Sequence, residues 1–136
     1  GLFEEFLFRG IIQKNFYLIS RNHHLAIWLS AFIFSAIHMQ FYGFFPRLLM
    51  GVLFGYLFYW SGSIFYAVIA HTFNNFFAVT MWYAAQQGYF GKEYELGVND
   101  PPDLPVVVII LSLILFLITI YFVRQKLLNE RADKMG

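Results

Sequence analysis

Leu104–Val123 reads LPVVVIILSLILFLITIYFV and carries no charge across its 20 residues. A helix that crosses a bilayer needs about 20 mostly apolar residues, so this stretch has the length and composition of a span. Pro101-Pro102-Asp103 stops it on one side and Arg124-Gln125-Lys126 on the other. The rest of the chain is almost as apolar: of 136 residues, 60% are hydrophobic and 12% charged. A soluble domain carries about 25% charged residues, so half the charge needed for a solvated surface is missing. Disorder is excluded on the same ground. The balance of 9 basic to 8 acidic residues leaves no electrostatic footprint for nucleic acid. No cysteine is present, which removes disulfides, thiolate ligands and a cysteine nucleophile.

Working outward, four more apolar segments precede the last one, giving an all-α, polytopic transmembrane helix bundle of about five segments. They are expected at 2–17, 25–40, 46–60, 63–87 and 104–123, with a cytoplasmic tail over 124–136. No linker separates two units, so the chain reads as one domain over 1–136. The sequence opens at Gly1-Leu2-Phe3, inside an apolar stretch, without Met or a charged n-region. That pattern reads as an N-terminally truncated core rather than a signal peptide. Gly88–Asp103 is expected to form the one long loop, read as a solvated excursion in preference to a lid. Lys14 and Arg21 between the first two segments, and Arg124, Lys126, Arg131 and Lys134 after the last, place those ends and the C-terminus in the cytoplasm. Arg47 is the exception, read as a snorkelling side chain or a functional one. His23 and His24 are expected to be solvated in a basic turn. Phe41-Tyr42-Gly43-Phe44-Phe45 reads as an interfacial belt, and the Gly51/Gly55 spacing as close helix packing.

Ionisable groups inside membrane segments cost about 2.5 to 3.5 kcal/mol when central, and so are candidates for function. Here they are Glu4, Glu5, Arg9, His38 and His71, joined by the neutral Asn74 and Asn75. Glu5 and Arg9 are four apart and can pair on one helix face. Glu4 lies about 100° around, free to point elsewhere. His71 and Asn75 share a face in the same way, while Asn74 reads as an interhelical bond. At about 1.5 Å per residue, Glu4, His38 and His71 reach similar depths from three helices. A carboxylate in a low-dielectric site can take a proton from water, an imidazole can share that proton or bind a metal, and an amide can donate to an oxyanion. These are the parts of water-driven amide hydrolysis.

Three motifs carry a resemblance. Glu4-Glu5-Phe6-Leu7-Phe8-Arg9 fits EExxxR, Phe34-Ser35-Ala36-Ile37-His38 fits FxxxH, and His71-Thr72-Phe73-Asn74-Asn75 fits HxxxN. In this order, on successive apolar helices, they resemble the CPBP intramembrane proteases (the CAAX protease and bacteriocin-processing, or Abi, family). The resemblance implies that Glu4 activates the attacking water, helped by His38. It implies that His71 and Asn75 polarise the scissile carbonyl and stabilise the oxyanion, and that Glu5 and Arg9 form a supporting pair. It also implies a peptide or (lipo)protein substrate met in the bilayer, and a bacterial inner membrane by family frequency. A divalent metal such as zinc, held by Glu4, His38 and His71, and metal-free acid–base catalysis both stay open. Two other readings stand beside it: a non-catalytic scaffold or immunity protein of the same fold, and a membrane haem protein with His38 and His71 as axial ligands.

Overall fold

The computed structural model describes residues 1–87 and 106–133, and five helices with no strand make up its regular structure. The first, α1, is three consecutive stretches: α-helical Leu2–Glu5, π-helical Phe6–Ile12 and α-helical Gln13–Ser20. Then come α2 (His23–Ala36), α3 (Phe44–Ser61), α4 (Ile64–Gln86) and α5 (Val106–Asp133). Local chemistry sets the joints. Arg21 takes a left-handed φ of 55° at the end of α1. Asn22 Oδ1 then accepts from the backbone N–H groups of His24 and Leu25, satisfying two donors that a helix start leaves open. Gly62, at φ 67°, lets its N–H bond back to Phe58, and the Ser63 hydroxyl caps α4 through Phe65 N–H. Pro46 lies in the first turn of α3, where its missing N–H costs no helical bond.

A buried polar stripe on α1 (Glu5, Arg9 and Gln13, four residues apart) positions the bundle. Arg9 Nη2 donates to the Gly51 carbonyl at 2.8 Å, and Gln13 Nε2 to the Gly55 carbonyl at 3.3 Å. The two glycines make room for this. A Cβ on Gly55 would stand 2.8 Å from Ile27 Cγ2, and one on Gly51 would stand 3.1 Å from Ala31 Cβ. Ile27, Ala31 and Val52 form the apolar core at that crossing of α2 and α3. Ser30 closes the third side by donating its hydroxyl to the Phe8 carbonyl.

The all-α expectation holds, and among the described residues two helices are long and apolar enough to cross a bilayer, Ile64–Gln86 and Ile110–Asp133. With 14 residues, α2 reaches about 21 Å at 1.5 Å per residue, short of a hydrocarbon core about 30 Å thick. α1 is long enough but spends one face on charge. α2 also stops at Ala36, not near Gln40, which leaves His38 in the turn after it. α5 runs past Val123 to Asp133, in keeping with a tail that is helical at first. There Leu127 is buried, Arg131 Nη1 donates to the Tyr59 carbonyl at 2.6 Å, and Glu130 accepts from the Tyr66 hydroxyl. His23 is not simply solvated. It stacks on Tyr17 at 3.8 Å between ring centroids, and burial, then Arg131 and His24, hold its imidazole below the usual range. His24 Nδ1 lies 2.7 Å from the Tyr56 hydroxyl. Phe41 and Tyr42 are exposed, as an interfacial belt requires. The loop expected over Gly88–Asp103 lies outside the described residues, as does 134–136.

The glycine contacts yield a test. Gly55→Leu forces a side chain against Ile27 and Gln13, and overpacking of this kind costs about 1 to 3 kcal/mol or more. The apparent Tm in detergent should fall by several degrees; an unchanged Tm would contradict the close α1–α2–α3 packing.

Candidate active site

α1 and α4 meet at His71. Its Nδ1 lies 2.7 Å from Glu5 Oε1, and its Nε2 lies 3.5 Å from Glu4 Oε2. A carboxylate can only accept, so Nδ1 carries the hydrogen in this bond and Nε2 is left facing Glu4. The imidazole is fixed further by apolar rings: it stacks on Phe54 at 5.0 Å, with 17° between planes, and meets the Phe34 ring edge-on. Adjacent carboxylates thus take opposite faces of one histidine, one buried and one open. The Glu5 side chain is 0% exposed, whereas that of Glu4 is 45% exposed and lines a cleft. Only Glu4 can meet both a water and the imidazole.

Behind His71, Glu5 Oε2 stands 3.1 Å from Arg9 Nε. This contact is an ion pair without the alignment of a hydrogen bond, since Oε2 has no hydrogen-bond partner. The Arg9 guanidinium lies over the rings of Phe34 (5.2 Å) and Phe54 (5.6 Å), the same two rings that hold His71. The chain Gly51–Arg9–Glu5–His71 therefore ties α3, α1 and α4 together at one point. The π-helical stretch Phe6–Ile12 runs through it, and such stretches recur at functional sites.

The cleft, about 460 Å³, is lined by Glu4, His38, His71 and Asn75, and also by Asn74, Arg47 and Phe54. All four sequence-predicted catalytic residues thus share one cavity. His38 arrives by an unexpected route. Because α2 ends at Ala36, the Phe34 carbonyl is free of the helix ladder, and His38 Nδ1 donates to it at 2.7 Å. That bond leaves His38 Nε2 as the acceptor, and its ring packs on Phe34 at 4.9 Å. Asn75 is exposed to the cleft and Asn74 half-buried beside it. Asn74, expected only to pack between helices, is thus a wall of the site. Two features escaped sequence reasoning. Glu5 was paired with Arg9 alone, yet its short hydrogen bond goes to His71, 66 residues away, which no local spacing can reveal. Arg47, which the loop-charge pattern left open as snorkelling or functional, lines this same cavity, a placement that no spacing in the sequence reveals.

Two ligand readings meet the geometry less well. Among the described residues no three His, Asp or Glu side chains are grouped as a metal site requires. Glu4 and His71 are paired, but His38 does not join them as a third donor, so no step below is routed through a metal. An axial haem role would need His71 to give up Glu4 or Glu5, which lie against its two nitrogens.

A family model described as type II CAAX prenyl endopeptidase Rce1-like matches residues 1–77, more than half of the chain and a range that contains all three motifs. No curated protein and no solved structure matches.

The buried ion pair predicts strong coupling. Glu5→Gln alone leaves Arg9 charged and buried, a loss of about 3 to 5 kcal/mol, and Arg9→Met alone strands Glu5 by a similar amount. The double variant Glu5→Gln/Arg9→Met should be more stable than the sum of the two losses, by denaturant or thermal melts in detergent. Additive losses would contradict the pairing.

Proposed function

Because the chain belongs to the Rce1-like family of type II CAAX prenyl endopeptidases, we propose that it is an intramembrane endopeptidase that uses Glu4 to activate water. The observation that carries this reading is the division of labour at His71: Glu5 behind it is buried and already ion-paired, and Glu4 in front is open to the cleft. In the proposed reaction Glu4 takes a proton from a water, and the oxygen attacks the scissile carbonyl carbon. His71 Nε2, 3.5 Å from Glu4, shares that proton, and His38 helps to hold the water. The carbonyl oxygen becomes an oxyanion, met by the Asn75 amide, a donor of the type that stabilises such charge. The proton passes to the amide nitrogen, the C–N bond breaks, and a carboxylic acid and an amine leave, the acid then giving its proton to the amine. Glu5 and Arg9 position His71 and do not touch the substrate.

The substrate is a peptide or lipoprotein segment reached from the bilayer. The apolar faces of α4 and α5, with Phe73, Phe76, Leu115 and Phe116 exposed, support a membrane setting. A cytoplasmic C-terminus belongs to this proposal, resting on Arg124, Lys126 and Arg131 at the end of α5.

A positioned general base contributes about 10²- to 10⁴-fold. Glu4→Gln should therefore lower cleavage of a prenylated CAAX peptide by at least about 10²-fold while the protein keeps its Tm. Activity within a few-fold of the parent would leave a non-catalytic role as the better reading. Because three donors are not grouped, treatment with a chelator should leave the rate within about twofold. Loss of activity restored by zinc would contradict the metal-free route.

A further inference from the structure

Away from the cleft, where α2 begins and α1, α3 and α5 end, a second cavity of about 260 Å³ opens. Two cations from opposite ends of the chain reach it, Lys14 of α1 and Arg131 of α5. No carboxylate among the described residues lines it, and none there pairs with either cation. Glu130, the neighbour of Arg131, is turned instead to the Tyr66 hydroxyl and to Lys126. Lys14 is exposed, yet its ammonium bends over Phe58, a wall of the cavity, at 5.9 Å from the ring centre. Arg131 Nη1 donates to the Tyr59 carbonyl, and a Cβ on Gly62 would stand 3.5 Å from its Nε. The side chain is thus held against the turn after α3, and the rest of its fork makes no hydrogen bond among the described residues. The rings of Tyr17, His23 and Tyr59 follow one another at 3.8 and 4.4 Å between centroids and line the same cavity. Two like charges fixed around one cavity, without a counter-charge, make a site for an incoming anion.

We propose that this cavity holds the phosphate of an anionic membrane lipid. The phosphate bridges Lys14 and Arg131 and so ties the end of α5 to α1, two helices that no hydrogen bond or ion pair joins directly among the described residues. The inference rests on the membrane setting and not on the peptidase reading, since this cavity and the cleft share no lining residue. Its surroundings favour a lipid over a soluble phosphate. Exposed Leu115, Ile118 and Phe122 lead along α5 toward Arg131 and give acyl chains a surface to follow. Basic pockets between membrane helices on the cytoplasmic side are recurrent seats for anionic headgroups. A volume of about 260 Å³ falls below that of most small-molecule pockets, about 300 to 1,000 Å³, and suits a single headgroup. A zwitterionic lipid would bring its own ammonium against Lys14 and Arg131.

Short-chain phosphatidylglycerol, short-chain phosphatidylcholine and inorganic phosphate are titrated in turn into the delipidated protein in neutral detergent. The ring resonances of His23, in the cavity wall, report occupancy and give each Kd. Phosphatidylglycerol should shift them saturably and bind at least about tenfold more tightly than either of the others. In Lys14→Gln/Arg131→Gln its preference over phosphatidylcholine should fall below about twofold. Because Arg131 also holds the Tyr59 carbonyl, Lys14→Gln alone guards against misfolding: it should weaken phosphatidylglycerol by at least about threefold at an unchanged Tm. Arg124→Gln, an exposed position on the same helix that does not line the cavity, should leave the affinity within about twofold. Equal binding of the two lipids would overturn the proposal. So would inorganic phosphate binding as tightly as the anionic lipid, which would make this a seat for a soluble anion. A loss in Arg124→Gln as large as in Lys14→Gln would also overturn it, by reducing the effect to the general charge of that end of the bundle. No readout involves cleavage, so failure of the peptidase reading leaves this test intact.

Discussion

A buried arginine that cannot leave its partners holds this bundle together. Arg9 sits in the middle of α1 at 1% exposure, and the groups around it come from α1, α2 and α3. Gly51 supplies a carbonyl from α3, and Phe34 and Phe54 supply ring faces from α2 and α3. Glu5 supplies the counter-charge from the same helix. A charge this deep is tolerated only when it is paired and hydrogen-bonded, so the three helices have little freedom to slide while it is there. The glycines follow from this constraint. Arg9 and Gln13 reach backbone carbonyls because Gly51 and Gly55 present no side chain in the way.

The same constraint separates the two carboxylates. Adjacent residues on a helix point about 100° apart. Once Glu5 is committed to Arg9, Glu4 is turned toward the cleft. His71 comes in from α4 and meets both, with Phe54 stacked on its face. The histidine thus has a fixed back and an open front. In a cavity lined by His38, Asn74, Asn75 and Arg47, that front is where chemistry on a peptide can occur.

Much of this was legible in the sequence, and the limits have physical causes. Helix content and most boundaries followed from apolar runs broken by Ser61-Gly62-Ser63 and by Gly43 to Pro46. The pairing of Glu5 with Arg9 followed from a four-residue spacing. The convergence of Glu4, His38, His71 and Asn75 was anticipated from depth and motif order. What stayed hidden was tertiary. The end of α2 at Ala36 depends on Ser35 donating to the Phe44 carbonyl and on Met39 adopting a φ of 53°, neither of which periodicity reports. The helical start of the charged tail was legible, but not that Arg131 is drawn onto the Tyr59 carbonyl near the end of α3. Among the described residues α4 and α5 have the length and apolarity of spans, and composition alone did not set them apart from the shorter α2.

Glu5 fixes His71 through Nδ1 and leaves Nε2 to Glu4. Nitrogen-15 NMR of the histidine-labelled protein in micelles reads this directly, with His71→Ala used for assignment. His71 Nδ1 should carry hydrogen and its resonance should move sharply in Glu5→Gln, while Glu4→Gln should perturb chiefly Nε2. A bare Nδ1, or one indifferent to Glu5→Gln, would contradict it.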